Sequence, residues 1–264
     1  MLCLAVVLSA ACRPLRAVER AQSLVRMHRE AEAAGLLRER LREDPKDVQA
    51  RRLLVRVLGL VGDLPAARVE ASELARWLSA DDPTPYLELG HALELAHRYE
   101  EALAAYDEAG ARAPLSTAGP REGGMRSARW GEAQWAAPRL EEAIRRGAND
   151  AEIWHALGLV RLHLGDLDGA EQAYRTGAAS DSRGGENWLG LATVAIARGD
   201  AERALAAYDQ VLARAPHSGA AQLGRAWALA RLGRRQDALR ALDRAEQLGA
   251  SAVNVARQRA ALDQ

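Results

Sequence analysis

The sequence has no phenylalanine, one lysine (Lys46) against 35 arginines, and two cysteines in 264 residues. It also lacks an excess of either charge, because 36 basic and 36 acidic side chains cancel to a formal net charge of zero. Nucleic-acid-binding domains carry surplus Lys and Arg that displace counterions from phosphate. Only local patches could do so here, which argues against such a domain. Segments alternating at period two and rich in Val, Ile and Thr are missing, so nothing points to a sheet. Both cysteines, Cys3 and Cys12, fall in the first twelve residues, which excludes a disulfide or a thiolate metal site from the remainder. What is abundant is alanine, with 57 residues, beside Leu, Arg and Glu, all strong helix formers. The composition predicts an all-α protein whose helices meet closely through small side chains.

The first twelve residues, MLCLAVVLSAAC, are an uninterrupted apolar run. They are too short to span a bilayer, which takes about 20 residues, but have the apolar core and small-residue end of an export signal. The stretch Leu8 to Cys12 resembles the lipobox of bacterial lipoproteins, in which the cysteine becomes the lipidated first residue of the mature chain. Two departures are evident: no Lys or Arg precedes Arg13, and Ser9 stands where a branched aliphatic is preferred. The other readings are a plain cleaved signal or single anchor, and a hydrophobic end or first helix packed on the fold.

An internal repeat sets the architecture. Gly165 to Ala170 recurs 34 residues later as Gly199 to Ala204 and again as Gly233 to Ala238. Backwards, the same register meets Gly131 and Ala136, His97 and Ala102, then after one inserted residue Gly62 and Ala67, and His28 and Ala33. Seven alanines in one column would arise by chance roughly twice in 100,000, so the period is real. The column five residues earlier reads as a turn at positive φ, which Gly tolerates and His adopts more readily than most. His28 and His97 are therefore expected to be turn residues; as ligands they would lack partners at metal-binding spacing.

In this register the chain resembles the tetratricopeptide repeat (TPR) family, whose 34-residue unit is helix-turn-helix. Residues 83–116 carry Tyr86, Leu89, Gly90, Leu93, Tyr99, Ala102, Tyr106, Ala109 and Pro114 at the family's signature positions. Residues 151–184 supply Trp154, Leu157, Gly158, Ala170 and Tyr174, and residues 185–218 supply Trp188, Leu191, Ala192, Ala204, Tyr208 and Pro216. Residues 219–252 keep Ala226, Gly233, Ala238 and Ala245, while 14–47 and 48–81 keep mainly the alanine column, Gly62 and Pro45. The resemblance implies a right-handed α-solenoid of about seven such repeats over residues 13–252, closed by a capping helix at 253–264, with 1–12 as a separate leader. It also makes Tyr86, Tyr99, Tyr106, Trp154, Tyr174, Trp188 and Tyr208 core residues.

The fourth repeat, 117–150, is degenerate. Its first helix must carry Gly119, Pro120, Gly123 and Gly124, and Pro138 falls inside its second. An interior Gly costs about 1 kcal/mol against Ala, and an interior Pro removes a hydrogen bond. The expectation is either a helix that starts at Pro138 and ends near Arg146, or a kinked one, at a loosened joint between two blocks of three repeats. Trp130 and Trp135 would pack there, or else mark a binding patch.

No metalloprotease, P-loop, dinucleotide or nucleophile-elbow motif occurs, and seven repeats leave no room for a second domain. His155 and His163 with Glu152, and His91 with Glu94, share helix faces but read as solvated surface. The expectation is no enzyme, no cofactor, no metal, no nucleic acid and no small-molecule substrate. The resemblance implies instead a protein partner held along first-helix positions. Towards the C-terminus these are His155, Leu159, Leu162, Leu189, Thr193, Ile196, Leu223 and Trp227, an apolar strip; towards the N-terminus they are Arg52, Arg56, His91 and Glu94. The Lys and Asn clamp that some relatives use for a partner's terminal carboxylate is absent. The strip suits an amphipathic helix or an extended hydrophobic segment, unless the fold itself or residues 253–264 cover it.

Charge is uneven: residues 13–60 hold 12 basic and 7 acidic groups, residues 83–116 hold 2 and 6. With lipid on Cys12, the basic end would face anionic membrane. The sequence thus reads as a non-enzymatic bacterial scaffold in the cell envelope, an outer-membrane lipoprotein facing the periplasm, similar in outline to the pilotins of type IV pilus secretins. A cytoplasmic TPR adaptor or secretion chaperone is the alternative.

Overall fold

The computed structural model describes residues 13–181 and 183–262; the leader and Cys12 lie outside them. Among the described residues there are fifteen helices and no strands. Seven helix pairs succeed one another: α1 (Arg13–Arg26) and α2 (Glu30–Glu43), α3 (Val48–Val61) and α4 (Leu64–Trp77), α5 (Thr84–Leu95) and α6 (Tyr99–Arg112), α7 (Ala118–Trp130) and α8 (Ala133–Arg145), α9 (Ala151–His163) and α10 (Leu167–Ser180), α11 (Glu186–Ala197) and α12 (Ala201–Arg214), α13 (Gly219–Arg231) and α14 (Arg235–Gln247). A single helix, α15 (Ala252–Leu262), follows. Helices α1 to α6 pack each on the next, as do α8 to α15, the arrangement of an α-solenoid.

The described chain divides into two compact units, one ending at Arg126 and the other starting at Ser127. The division falls inside α7, in the repeat with the weakest sequence signature.

Both repeat columns have the predicted geometry. The seven alanines Ala33, Ala67, Ala102, Ala136, Ala170, Ala204 and Ala238 are each 0% exposed. Each occupies a fully buried place with no more than a methyl group. The turn glycines have φ between 71° and 85°, and the two histidines adopt the same left-handed conformation, His28 at 56° and His97 at 58°. Short acidic and hydroxyl side chains start the helices: Asp47, Asp63, Asp150, Asp166, Asp200 and Ser218 each accept a hydrogen bond from the backbone N–H three residues on.

Two close approaches explain interior glycines. A Cβ on Gly59 would lie 2.4 Å from the Ala92 carbonyl oxygen, so α3 and α5 touch backbone to backbone. A Cβ on Gly119 would lie 2.3 Å from the Gly110 nitrogen, which fits α7 against α6. The glycine-rich first helix of the fourth repeat is therefore a packing surface. Its partner α8 corrects one expectation, because it begins at Ala133 and not at Pro138, and runs through the proline. Pro138 leaves the Gln134 carbonyl without its usual helical donor, while Arg139 Nη1 donates to the next carbonyl, Trp135 O, at 2.8 Å. Trp130 and Trp135 are half-buried.

Tyr106 and Tyr174 are buried, and Tyr86, Trp154, Trp188 and Tyr208 are half-buried. Tyr99 departs from the expected core role, being 38% exposed. It opens α6 two residues after the left-handed His97, and its hydroxyl lies 3.0 Å from His97 Nδ1, so it braces the turn. At the C-terminal end, α15 contributes one buried residue, Val255, to a cluster with Leu229, Leu242 and Ala245.

Candidate functional site

In the N-terminal unit the predicted residues converge on a carboxylate that the sequence reading missed. Glu88, on α5, has a side chain only 2% exposed. Arg52 of α3 donates to its Oε1 from Nε at 3.0 Å and from Nη2 at 2.9 Å. Arg56, one turn further along α3, bonds both carboxylate oxygens. His91 Nδ1 lies 3.9 Å from Glu88 Oε2, and the other ring nitrogen lies 3.5 Å from Glu122 Oε2 of α7. Arg126 then joins Glu122 at 3.2 Å to Glu94 at 3.2 Å, and the buried Tyr106 hydroxyl donates to Glu94 at 3.4 Å. The result is a charged ladder across α3, α5 and α7.

The ladder decides the protonation of its members. Burial pushes the Glu88 carboxyl up, but His91, Arg56 and Arg52 outweigh it and hold it at about 2. Glu122 is likewise held at about 2, by His91 against burial and with help from Arg126. For His91 burial favours the neutral ring, yet Glu122 and Glu88 prevail and raise it above its ordinary value. Arg52, Arg56, His91 and Glu94 are thus mutually engaged, with Arg52 and Arg56 still 38% and 45% exposed. One signal would have found the missing members: Glu88 and Glu122 stand 34 residues apart, the same place in successive repeats.

The C-terminal unit presents a different face. Leu159 on α9 and Leu189 on α11 are 36% and 39% exposed. Thr193 is exposed, and its hydroxyl returns to the Leu189 carbonyl at 2.9 Å. The other predicted residues are half-buried. Leu162 packs on Ala170, Tyr174 and Val194, Ile196 and Trp227 around Ala195, Ala204 and Ala228, and Leu223 on the cluster of Ala226 and Leu229. The Arg231 guanidinium lies 5.9 Å from the centre of the Trp227 ring. His155 stands 5.6 Å from the Tyr174 ring with Nδ1 buried and unbonded, and burial lowers its pKa against the opposing pull of Glu186. This face carries apolar contact surface with a neutral imidazole at its edge.

Among the described residues no three His, Cys, Asp or Glu side chains stand close enough to hold a metal ion, and no helix is long and apolar enough to cross a membrane.

Comparison with known proteins agrees with the fold. Residues 131–183 and 189–253 match the family model described as Tetratricopeptide repeat. No curated protein matches the chain. Among solved structures, YrrB, described as a TPR protein with an unusual peptide-binding site, is similar with a TM-score of 0.62 at 19% identity, over 72% of this chain and 97% of that one. The C-terminal part of a TPR repeat-containing protein from Cytophaga hutchinsonii has a TM-score of 0.69 at 14% identity, over 91% and 98%. MamA has a TM-score of 0.61 at 18% identity, over 64% and 93%. At these identities the likeness establishes the fold, the TPR helix-pair solenoid.

Proposed function

We propose that the protein is a non-enzymatic interaction scaffold that holds an amphipathic helix or extended apolar segment of a partner protein along the first helices of its C-terminal repeats. The observation that carries this reading is the pair of exposed leucines, Leu159 on α9 and Leu189 on α11, one turn apart in the repeat register and flanked by Leu162, Ile196 and Trp227. Side chains of that kind lose contact with water when an apolar segment lies across them. The peptide-binding site named for YrrB supports the same use of the fold. The charged ladder of the N-terminal unit contrasts with this strip and gives the scaffold a polar face on Arg52 and Arg56.

Export and lipid anchoring through Cys12 belong to the same proposal, supported by the apolar run that ends in Leu8 to Cys12 and by the lack of any later cysteine. Affinity capture from the native host's envelope tests both parts. Leu189→Glu and Trp227→Ala should lose the partners held by the wild type while keeping its helical circular dichroism, and Cys12→Ser should lose incorporated lipid. Unchanged capture by both strip variants would remove the groove assignment, and unlipidated wild-type protein in the cytosol would remove the anchor.

A further inference from the structure

A second recess lies elsewhere in the C-terminal unit, between α10, α11 and α12. It encloses 260 Å³. The repeat register explains why it exists. The place held by Leu93 in the third repeat is Leu58 in the second and Leu229 in the seventh, and these three side chains are at most 1% exposed. In the sixth repeat the same place is Ala195. Replacing a buried leucine by alanine leaves a void wherever the surroundings do not collapse. Here the void opens to the surface and is lined by Leu191, Val194, Ala195 and Ala207.

The mouth is polar and arranged around one carboxylate. Glu171, whose side chain is 12% exposed, takes ion pairs from Arg198, Arg175 and, at 3.7 Å, Arg203. Arg175 and Arg203 remain 62% and 61% exposed. Arg203 also pairs with Asp200 at 3.3 Å and Arg198 with Asp168, so these three arginines and three carboxylates balance. Trp188 also lines the recess, and its indole Nε1 is buried with no hydrogen-bond partner. An indole N–H is a donor only, and a donor buried without a partner is destabilising. An apolar floor, an unmet donor and two guanidinium groups still largely open at the rim define a ligand with an aliphatic or aryl body and one anionic acceptor group.

We propose that this recess is a binding site for a small amphiphilic monocarboxylate, its apolar body filling the space that Ala195 leaves and its carboxylate at the Arg175 and Arg203 rim. It is independent of the leucine strip, since none of the strip residues lines it. A ligand of about ten heavy atoms in such a site should bind with a dissociation constant on the order of 0.1 mM.

The test is a titration of the full ¹⁵N-labelled chain with sodium octanoate and, separately, 1-octanol. The readout is the Trp188 indole N–H signal, identified by its loss in Trp188→Phe. Octanoate should shift that signal saturably, and octanol should bind at least about tenfold more weakly for want of the charge. Ala195→Leu, which places there the leucine of the second, third and seventh repeats, should abolish the octanoate shift and raise Tm by about 3 °C by filling the void. Should that variant fold poorly, Ala206→Leu, at an exposed position on the rim, blocks entry without touching the core. No saturable shift, equal binding of octanoate and octanol, or an unchanged shift in a folded blocking variant would each overturn the proposal.

Discussion

At Glu88 a charge is held almost out of water because two arginines and a histidine surround it. Its carboxyl sits near 2 in the folded protein against 4.5 for the free group. A depressed carboxylate contributes stability that is complete above the unfolded value and is lost as pH falls towards the folded one. The N-terminal unit should therefore weaken between pH 4.5 and 2. His91 acts with the opposite sign: its raised pKa stabilises the fold below 6.5, and that contribution fades as pH climbs through the folded value. Glu88→Gln should cost about 1–3 kcal/mol at pH 7, because Arg52 and Arg56 lose their common partner while retaining some solvent. Urea unfolding at pH 7 and pH 3 checks this, with the variant's loss shrinking at the lower pH. An undiminished difference would mean that the carboxylate's charge is not what matters. The family resemblance marked Arg52, Arg56, His91 and Glu94 for the surface, but packing shows that Glu88, Glu122 and Arg126 tie them together.

Among the helices, α8 is the case where local preference and repeat length disagree. Pro138 should start a helix, yet it lies in the middle of one. Ala136, Leu140 and Ala143 are each 0% exposed, so their burial holds the segment helical on both sides of the proline. An interior proline costs about 3 kcal/mol or more, offset in part by the stiffer unfolded chain. Pro138→Ala should thus raise stability by about 1–2 kcal/mol, visible as a higher Tm, because the restored N–H of residue 138 can donate to the Gln134 carbonyl. A lower Tm would show that the proline's bend is needed for packing. Elsewhere the helices follow their sequence signals closely. Positive φ at His28 and His97 comes directly from the turn column. The exposed Tyr99 does not, because a signature position states where a side chain starts and not which neighbour, core or turn, it meets.

Over the whole molecule, stability in a chain of repeats is a sum of nearest-neighbour contacts. A defect in one repeat should fade within a repeat or two. Gly59→Val drives a side chain into the Ala92 backbone and should cost about 1–3 kcal/mol through overpacking. Hydrogen exchange should then quicken across α3 to α6 and stay unchanged across α11 to α15; a uniform change would point to a single cooperative block. The zero net charge visible at the outset is an average over a basic stretch, residues 13–60 with 12 basic and 7 acidic groups, and an acidic one, residues 83–116 with 2 and 6. The amino-acid sequence alone determined the all-helical class, the 34-residue period, the alanine seams and the left-handed turns. Each of these depends on local backbone preference and on a spacing that recurs. Only the tertiary structure decided that Glu88 is the centre of the N-terminal network and that Ala195 leaves a recess at α11. Both depend on which side chains from different repeats come within contact distance, and that is settled by how closely successive helices approach.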